Sequence, residues 1–171
     1  MLYMSFTAPH SPNEATEEDL ARFEGQPRQK YAAMMYALDR GVGKIVDELK
    51  AVGKFDDTII FFLSDNGGST TNQSSNLPLK GFKGNKFEGG QRVPFFVVWG
   101  DRFKRDQCFT GLTSSLDIFA TVVDVLDIPE EGLHKPIDGV SLLPYLSGEK
   151  SGNPHEALFW RKMDTRAVRS G

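Results

Sequence analysis

Between Leu63 and Pro94 the chain reads L-S-D-N-G-G and then, from Lys80, K-G-F-K-G-N-K-F-E-G-G-Q-R-V-P, so acidic and amide oxygens lie one loop away from a lysine cluster. Asp65 and Asn66 carry hard oxygen donors of the kind that Ca²⁺ or Mg²⁺ selects. Two adjacent side chains supply only part of such a shell, and a plain turn is the competing reading of Asp-Asn-Gly-Gly. The lysine segment is not a P-loop, because its glycine spacing differs and no Lys-Ser/Thr pair follows. Lysine clusters are most often solvated surface. Here the glycines permit close backbone approach, and a lysine beside a cation-bound oxyanion balances charge in the transition state. His10, held between Pro9 and Pro12, has the intrinsic pKa of a general acid near neutral pH, although a lone histidine is usually structural or exposed. A divalent cation beside an anion-binding lysine is equipment for hydrolysing a sulfate or phosphate ester.

The elements around these residues explain how they would be positioned. Residues 58–63 (TIIFFL) form an apolar run too short for a typical helix and rich in β-branched and aromatic side chains. That is the pattern of a strand buried on both faces of a parallel sheet, and Asp65 and Asn66 would emerge at its carboxyl end, where open α/β sheets hold ligands. Tyr31, Met35, Leu38, Val42, Ile45 and Leu49 recur at helical spacing and predict a helix over 28–52, stopped by Gly53. Further strands are expected at 2–6 and 94–99, with edge strands at 157–160 and 166–169. A short acidic helix capped by Thr16 is expected to Phe23, and a helix over 115–126 should bury Leu116, Phe119, Val123 and Leu126. Another short helix is expected near 141–146. Glu88 and Arg92 read as a salt bridge pinning the long loop over 69–92, Cys108 as a structural thiol, and His134 and His155 as surface residues. Asn72-Gln73-Ser74 is formally a glycosylation sequon, a triplet common by chance.

Composition sets the outer limits. With 171 residues, 39% hydrophobic and 25% charged, the chain can build a core of about one domain's size. A net charge of −3 offers no broad attraction to nucleic acid, and no apolar run approaches the roughly 20 residues of a membrane span. The single cysteine excludes an internal disulfide. Both ends are abrupt, apolar at Met1–Phe6 and strand-like at Ala167–Gly171, so the chain is expected to be a piece of a larger domain.

Taken together, these segments resemble the formylglycine-dependent sulfatases of the alkaline-phosphatase-like superfamily. The likeness is collinear: Ala8 to Pro12, Tyr31 through Asp39, Ser64 to Gly68, Lys83-Gly84, Glu88 to Gly90, Arg92 to Pro94, Leu116 to Thr121, Asp138 to Pro144, and Arg166 to Arg169. The resemblance implies an α/β fold, a mostly parallel sheet sandwiched by helices, present here as an incomplete copy. It places 1–171 in the middle and C-terminal part of one catalytic domain, with 157–171 beginning the C-terminal subdomain. It makes Asp65 and Asn66 calcium ligands, in preference to magnesium, and puts Lys83 on the sulfate. His10 would bind the sulfate or bridging oxygen and help protonate the leaving alcohol. The implied substrate is a small-molecule or carbohydrate sulfate ester, with no nucleic-acid partner, no expectation for oligomeric state, and export (periplasmic or extracellular) or lysosomal delivery.

One departure is decisive. No segment of 1–171 matches the C-x-P-S-R type motif that carries the formylglycine, or its serine counterpart. The early pair of acidic ligands is also unmatched. The nucleophile is therefore expected in a preceding region, and 1–171 alone is expected to hydrolyse nothing and to hold calcium weakly. The alternatives are a phosphate mono- or diesterase of the same superfamily, and a non-catalytic remnant that binds anions or a partner.

Overall fold

Residues 1–170 are described by the computed structural model, which divides into two units. The first joins Met1–Asp57 to Ser64–Pro94, and the second joins Thr58–Leu63 to the chain from Phe95 onward. Gly171, the last residue of the expected C-terminal strand region, lies outside the described residues.

In the first unit, α1 (Glu17–Ala21) starts where Thr16 accepts the Asp19 amide at 3.2 Å, the cap that its sequence predicts. The long helix α2 (Gln29–Ala51) follows and packs on α1. Ala33, Met34 and Leu38 are its buried positions, while Met35, expected in the core, is exposed. The helix ends at Gly53, whose φ of +65° lets the Lys54 amide reach back to the Leu49 carbonyl at 2.8 Å. Asp19, only 1% exposed, takes two bonds from the Arg40 guanidinium at 2.5 and 2.8 Å. That fork ties α1 to the middle of α2. Residues 2–6 form no strand, which corrects the one expected there. Leu2 and Tyr3 are 72% and 85% exposed, and a strand forms only where a neighbour completes its ladder. The rest of this unit is the loop from Ser64 to Pro94, containing a 3₁₀ turn at Thr70–Asn72 and the short helix α3 (Glu88–Gln91).

In the second unit, β1 (Ile60–Leu63) pairs antiparallel with β2 (Phe95–Val98), Ile60 opposite Val98 and Leu63 opposite Phe95. All four β1 residues are half-buried, as the uninterrupted apolar run requires. Such a run shows that both faces are covered; it does not encode the direction of the neighbour, and the described strands pair antiparallel. Helix α4 (Asp117–Val125) and the short α5 (Leu143–Leu146) pack together around Leu142, which is 1% exposed. The hairpin β3 (Ala157–Lys162) and β4 (Thr165–Ser170) closes the described chain, turning at Met163 with φ of +51°.

Helix α4 departs from its expected burial. Asp117, Ala120, Thr121 and Val123 are inside, whereas Leu116, Phe119 and Leu126 are 54%, 57% and 62% exposed. The inward stripe is set by the segment 138–142, which lies against it. The Val140 amide donates to Asp117 Oδ1 at 3.0 Å, and the Leu142 amide donates to Thr121 Oγ1 at 2.9 Å. Satisfying buried backbone donors takes precedence over hiding three apolar side chains. His155 is not a surface residue either: its Nε2 lies 2.7 Å from Asp117 Oδ1, with 11% of the side chain exposed. Cys108 is exposed, so it is not the structural thiol expected. Among the described residues, no helix is long and apolar enough to cross a membrane.

Candidate functional site

The chain leaves β1 at Leu63 and enters a turn built from Ser64 to Gly68. Ser64 Oγ donates to the Asn66 carbonyl at 2.8 Å, and the Ser64 amide donates to the Pro94 carbonyl at 3.2 Å. The two glycines let the turn pack closely, Gly67 against Gly89 and Gly90 and Gly68 against Ser74 and Asn76. A Cβ on Gly67 would collide with the Gly89 carbonyl, and one on Gly68 would meet Ser74 Cβ at 2.5 Å. Gly89 and Gly90 face the backbone of 80–85 with equally little room: a Cβ on Gly90 would stand 2.6 Å from the Asn85 carbonyl oxygen. Gly67, Gly89 and Gly90 are required by close approach of backbones, and Gly68 by the side chains of Ser74 and Asn76.

Asn76 holds the two strips in register. Its Oδ1 accepts the Gly68 amide at 2.7 Å, and its Nδ2 donates to the carbonyls of Gly68 and Gly81, both at 3.1 Å. The Lys83 amide donates to the same Gly68 carbonyl at 3.0 Å, and the Gly67 amide reaches the Gly90 carbonyl at 3.2 Å. The turn carrying Asp65 and Asn66 and the loop carrying Lys83 are thus one hydrogen-bonded assembly. Sequence reading missed Asn76. The available signal was an amide side chain, two donors and one acceptor, at the entry to a loop rich in glycine.

Side-chain placement sorts the candidates. The Asp65 carboxylate is exposed and accepts no hydrogen bond from the described residues, and Asn66 is half-buried. Their oxygens have the chemistry a hard divalent cation prefers, and they offer two of the roughly six to eight ligands that calcium takes. Among the described residues no cluster of three or more His, Cys, Asp or Glu side chains closes such a shell. Of the three loop lysines, Lys80 places its ammonium 4.4 Å from the centre of the Phe87 ring. Lys86 is exposed; Lys83 is half-buried and forms no ion pair among the described residues. A half-sequestered, uncommitted ammonium is the better anion contact. Arg92 and Glu88 form the expected ion pair at 3.9 Å, with both side chains well exposed. The glycine contacts and Asn76 hold the loop as well.

His10 belongs to the same unit, but its hydrogen bonds stay within its own loop. Its amide donates to the Thr7 carbonyl at 2.9 Å, and Nδ1 lies 2.7 Å from the Ser11 carbonyl. His10 is exposed, and the bond at Nδ1 leaves Nε2 without a hydrogen bond among the described residues. No described hydrogen bond joins His10 to Asp65, Asn66 or Lys83. A polar cleft at the start of α2, lined by Asn13, Arg28, Lys30 and Gln73, contains none of the four.

Comparison with known proteins gives the family. The Sulfatase family profile matches residues 1–128. The uncharacterized sulfatase YdeN of Escherichia coli (strain K12) is 37% identical over 170 residues, covering 94% of this chain and 29% of its own. The N-acetylgalactosamine-6-sulfatase of Canis lupus familiaris is 32% identical over 169 residues, covering 96% of this chain and 31% of its own. Among solved structures, that of Ps i-CgsB in complex with k-i-k-neocarrahexaose superposes with a TM-score of 0.83 at 36% identity. It covers 95% of this chain and 38% of that one. The chain belongs to the sulfatase family and has part of its alkaline-phosphatase-like α/β fold. It spans 29% to 31% of the length of these two curated relatives.

Proposed function

We propose that this chain supplies the cation-ligand and sulfate-contact portion of a sulfatase active site, serving hydrolysis of a sulfate ester to an alcohol and sulfate. The observation that carries the reading is the assembly of the Asp65–Asn66 turn with the Lys83 loop. Asp65 and Asn66 would provide two oxygen ligands to Ca²⁺, which when bound supplies positive charge against the sulfate. The Lys83 ammonium would hold a sulfate oxygen and stabilise the charge that builds as the ester bond breaks. His10, as imidazolium, would give its Nε2 proton to the departing alkoxide, so that the alcohol leaves neutral. The formylglycine nucleophile would come from a segment outside 1–171, and 1–171 alone would be inactive. The substrate would be a small-molecule or carbohydrate sulfate ester, since the relatives include both steryl-sulfatases and N-acetylgalactosamine-6-sulfatases, and the family resemblance favours an exported or lysosomal setting.

The test is turnover of an aryl sulfate and an aryl phosphate by the protein that contains this chain together with a nucleophile segment. The sulfate should be the preferred ester, and Lys83→Ala should lower kcat/KM by roughly 10² to 10³. Cleavage of the phosphate alone would move the protein to the phosphoesterases of the superfamily. Full activity in Lys83→Ala would remove that lysine from the site.

A further inference from the structure

Asn76 is placed to do more than close a loop. Its three hydrogen bonds span both halves of the candidate site, with Gly68 on the cation side and Gly81 on the anion side. The Gly68 carbonyl receives both Asn76 Nδ2 and the Lys83 amide, so one peptide group, two residues past Asn66, reports on both strips. Any shift of that peptide on loading Asp65 and Asn66 moves the acceptor on which Lys83 is hung. The glycine contacts leave the strips no slack to absorb it, since Gly67, Gly89 and Gly90 already meet backbone atoms. Charge attraction between cation and anion acts whatever residue stands at 76, whereas Asn76 fixes the Gly68 peptide on which the Lys83 amide hangs and ties it to Gly81.

We propose that Asn76 is a positioning residue that couples cation binding at Asp65 and Asn66 to sulfate binding at Lys83. This inference rests on the proposed function above. Coupling between two sites is a ratio of affinities and is reciprocal. Calcium should therefore tighten sulfate-ester binding in the unaltered chain by more than it does once the amide is removed.

The experiment is a titration with methyl sulfate of the protein that contains this chain together with a nucleophile segment, with and without calcium chloride at constant ionic strength. Binding is followed by the amide resonances of Gly68 and Lys83. In the unaltered chain, calcium should tighten methyl sulfate binding about tenfold, within the usual span of allosteric coupling. Asn76→Ala should reduce that factor to about threefold or less, the part that direct charge attraction supplies. Asn76→Asp keeps the acceptor for the Gly68 amide but turns both donor contacts into oxygen–oxygen repulsion, so it should lose the coupling as well. Leu38→Ala, which destabilises the same unit from its core, should leave the factor near tenfold, because a merely structural defect lowers stability without altering the ratio. A factor that stays near tenfold in both Asn76 variants overturns the inference and leaves the proposed function standing. Absence of any methyl sulfate response in the unaltered protein that carries the nucleophile segment overturns the proposed function and this inference with it.

Discussion

A carboxylate and a guanidinium decide how the first unit responds to acid. The Arg40 guanidinium, hydrogen-bonded to both Asp19 oxygens, holds that carboxyl below its ordinary value, and the Thr16 bond and nearby Arg22 act in the same direction against the opposing effect of burial. A depressed carboxyl contributes stability that is complete above its unfolded pKa of about 3.9 and disappears as pH falls through the folded value. The chain should lose stability to urea in that acid range, and Arg40→Gln should make the loss shallower while lowering stability at neutral pH. Midpoints of urea unfolding across the range measure both effects. A residue-scale prediction of another kind concerns Gly67. Alanine there would drive Cβ into the Gly89 carbonyl, so Gly67→Ala should abolish the Asn76-mediated register and shift the Gly68 and Lys83 amides together. Unchanged resonances would mean that the turn and loop are not packed as described.

At the scale of elements, hydrophobic spacing and hydrogen-bonding demand compete, and α4 shows which prevails. The spacing of Leu116, Phe119 and Leu126 advertised an inward apolar face, yet the helix turns Asp117 and Thr121 inward to serve the amides of Ser114, Val140 and Leu142. Thr121 also donates to the Asp117 carbonyl at 2.6 Å, so its hydroxyl is fully engaged. Thr121→Val preserves the shape and deletes the acceptor, leaving the Leu142 amide buried and unpaired. It should cost about 1–3 kcal/mol, measured by thermal or denaturant unfolding. By contrast, the spacing along α2 predicted a helix over 28–52 and the structure has Gln29–Ala51, because a 23-residue amphipathic pattern ending in glycine has no competing solution.

For the whole molecule, large apolar side chains remain at the surface of both units. In the first, Leu2, Tyr3 and Leu77 are exposed; in the second, Phe96, Phe119, Phe159 and Val168. Exposed apolar side chains of this size favour contact with any other apolar surface on offer. The native chain should bind a hydrophobic dye and self-associate with rising concentration, and replacing Leu116 and Phe119 together with serine should reduce dye binding. A dye-silent, concentration-independent monomer by light scattering would contradict this. What the sequence by itself determined was local. Asp65, Asn66, His10 and Lys83 could be named as candidates, and the helices, the β1 run and the family could be recognised, because each depends on residue types at short spacing. The tertiary structure alone decided that β1 and β2 run antiparallel, that residues 2–6 find no strand partner, that His155 meets Asp117, and that Asn76 joins two glycine strips. Those outcomes depend on which distant backbone groups arrive to be satisfied, and spacing within one segment carries no record of its neighbour.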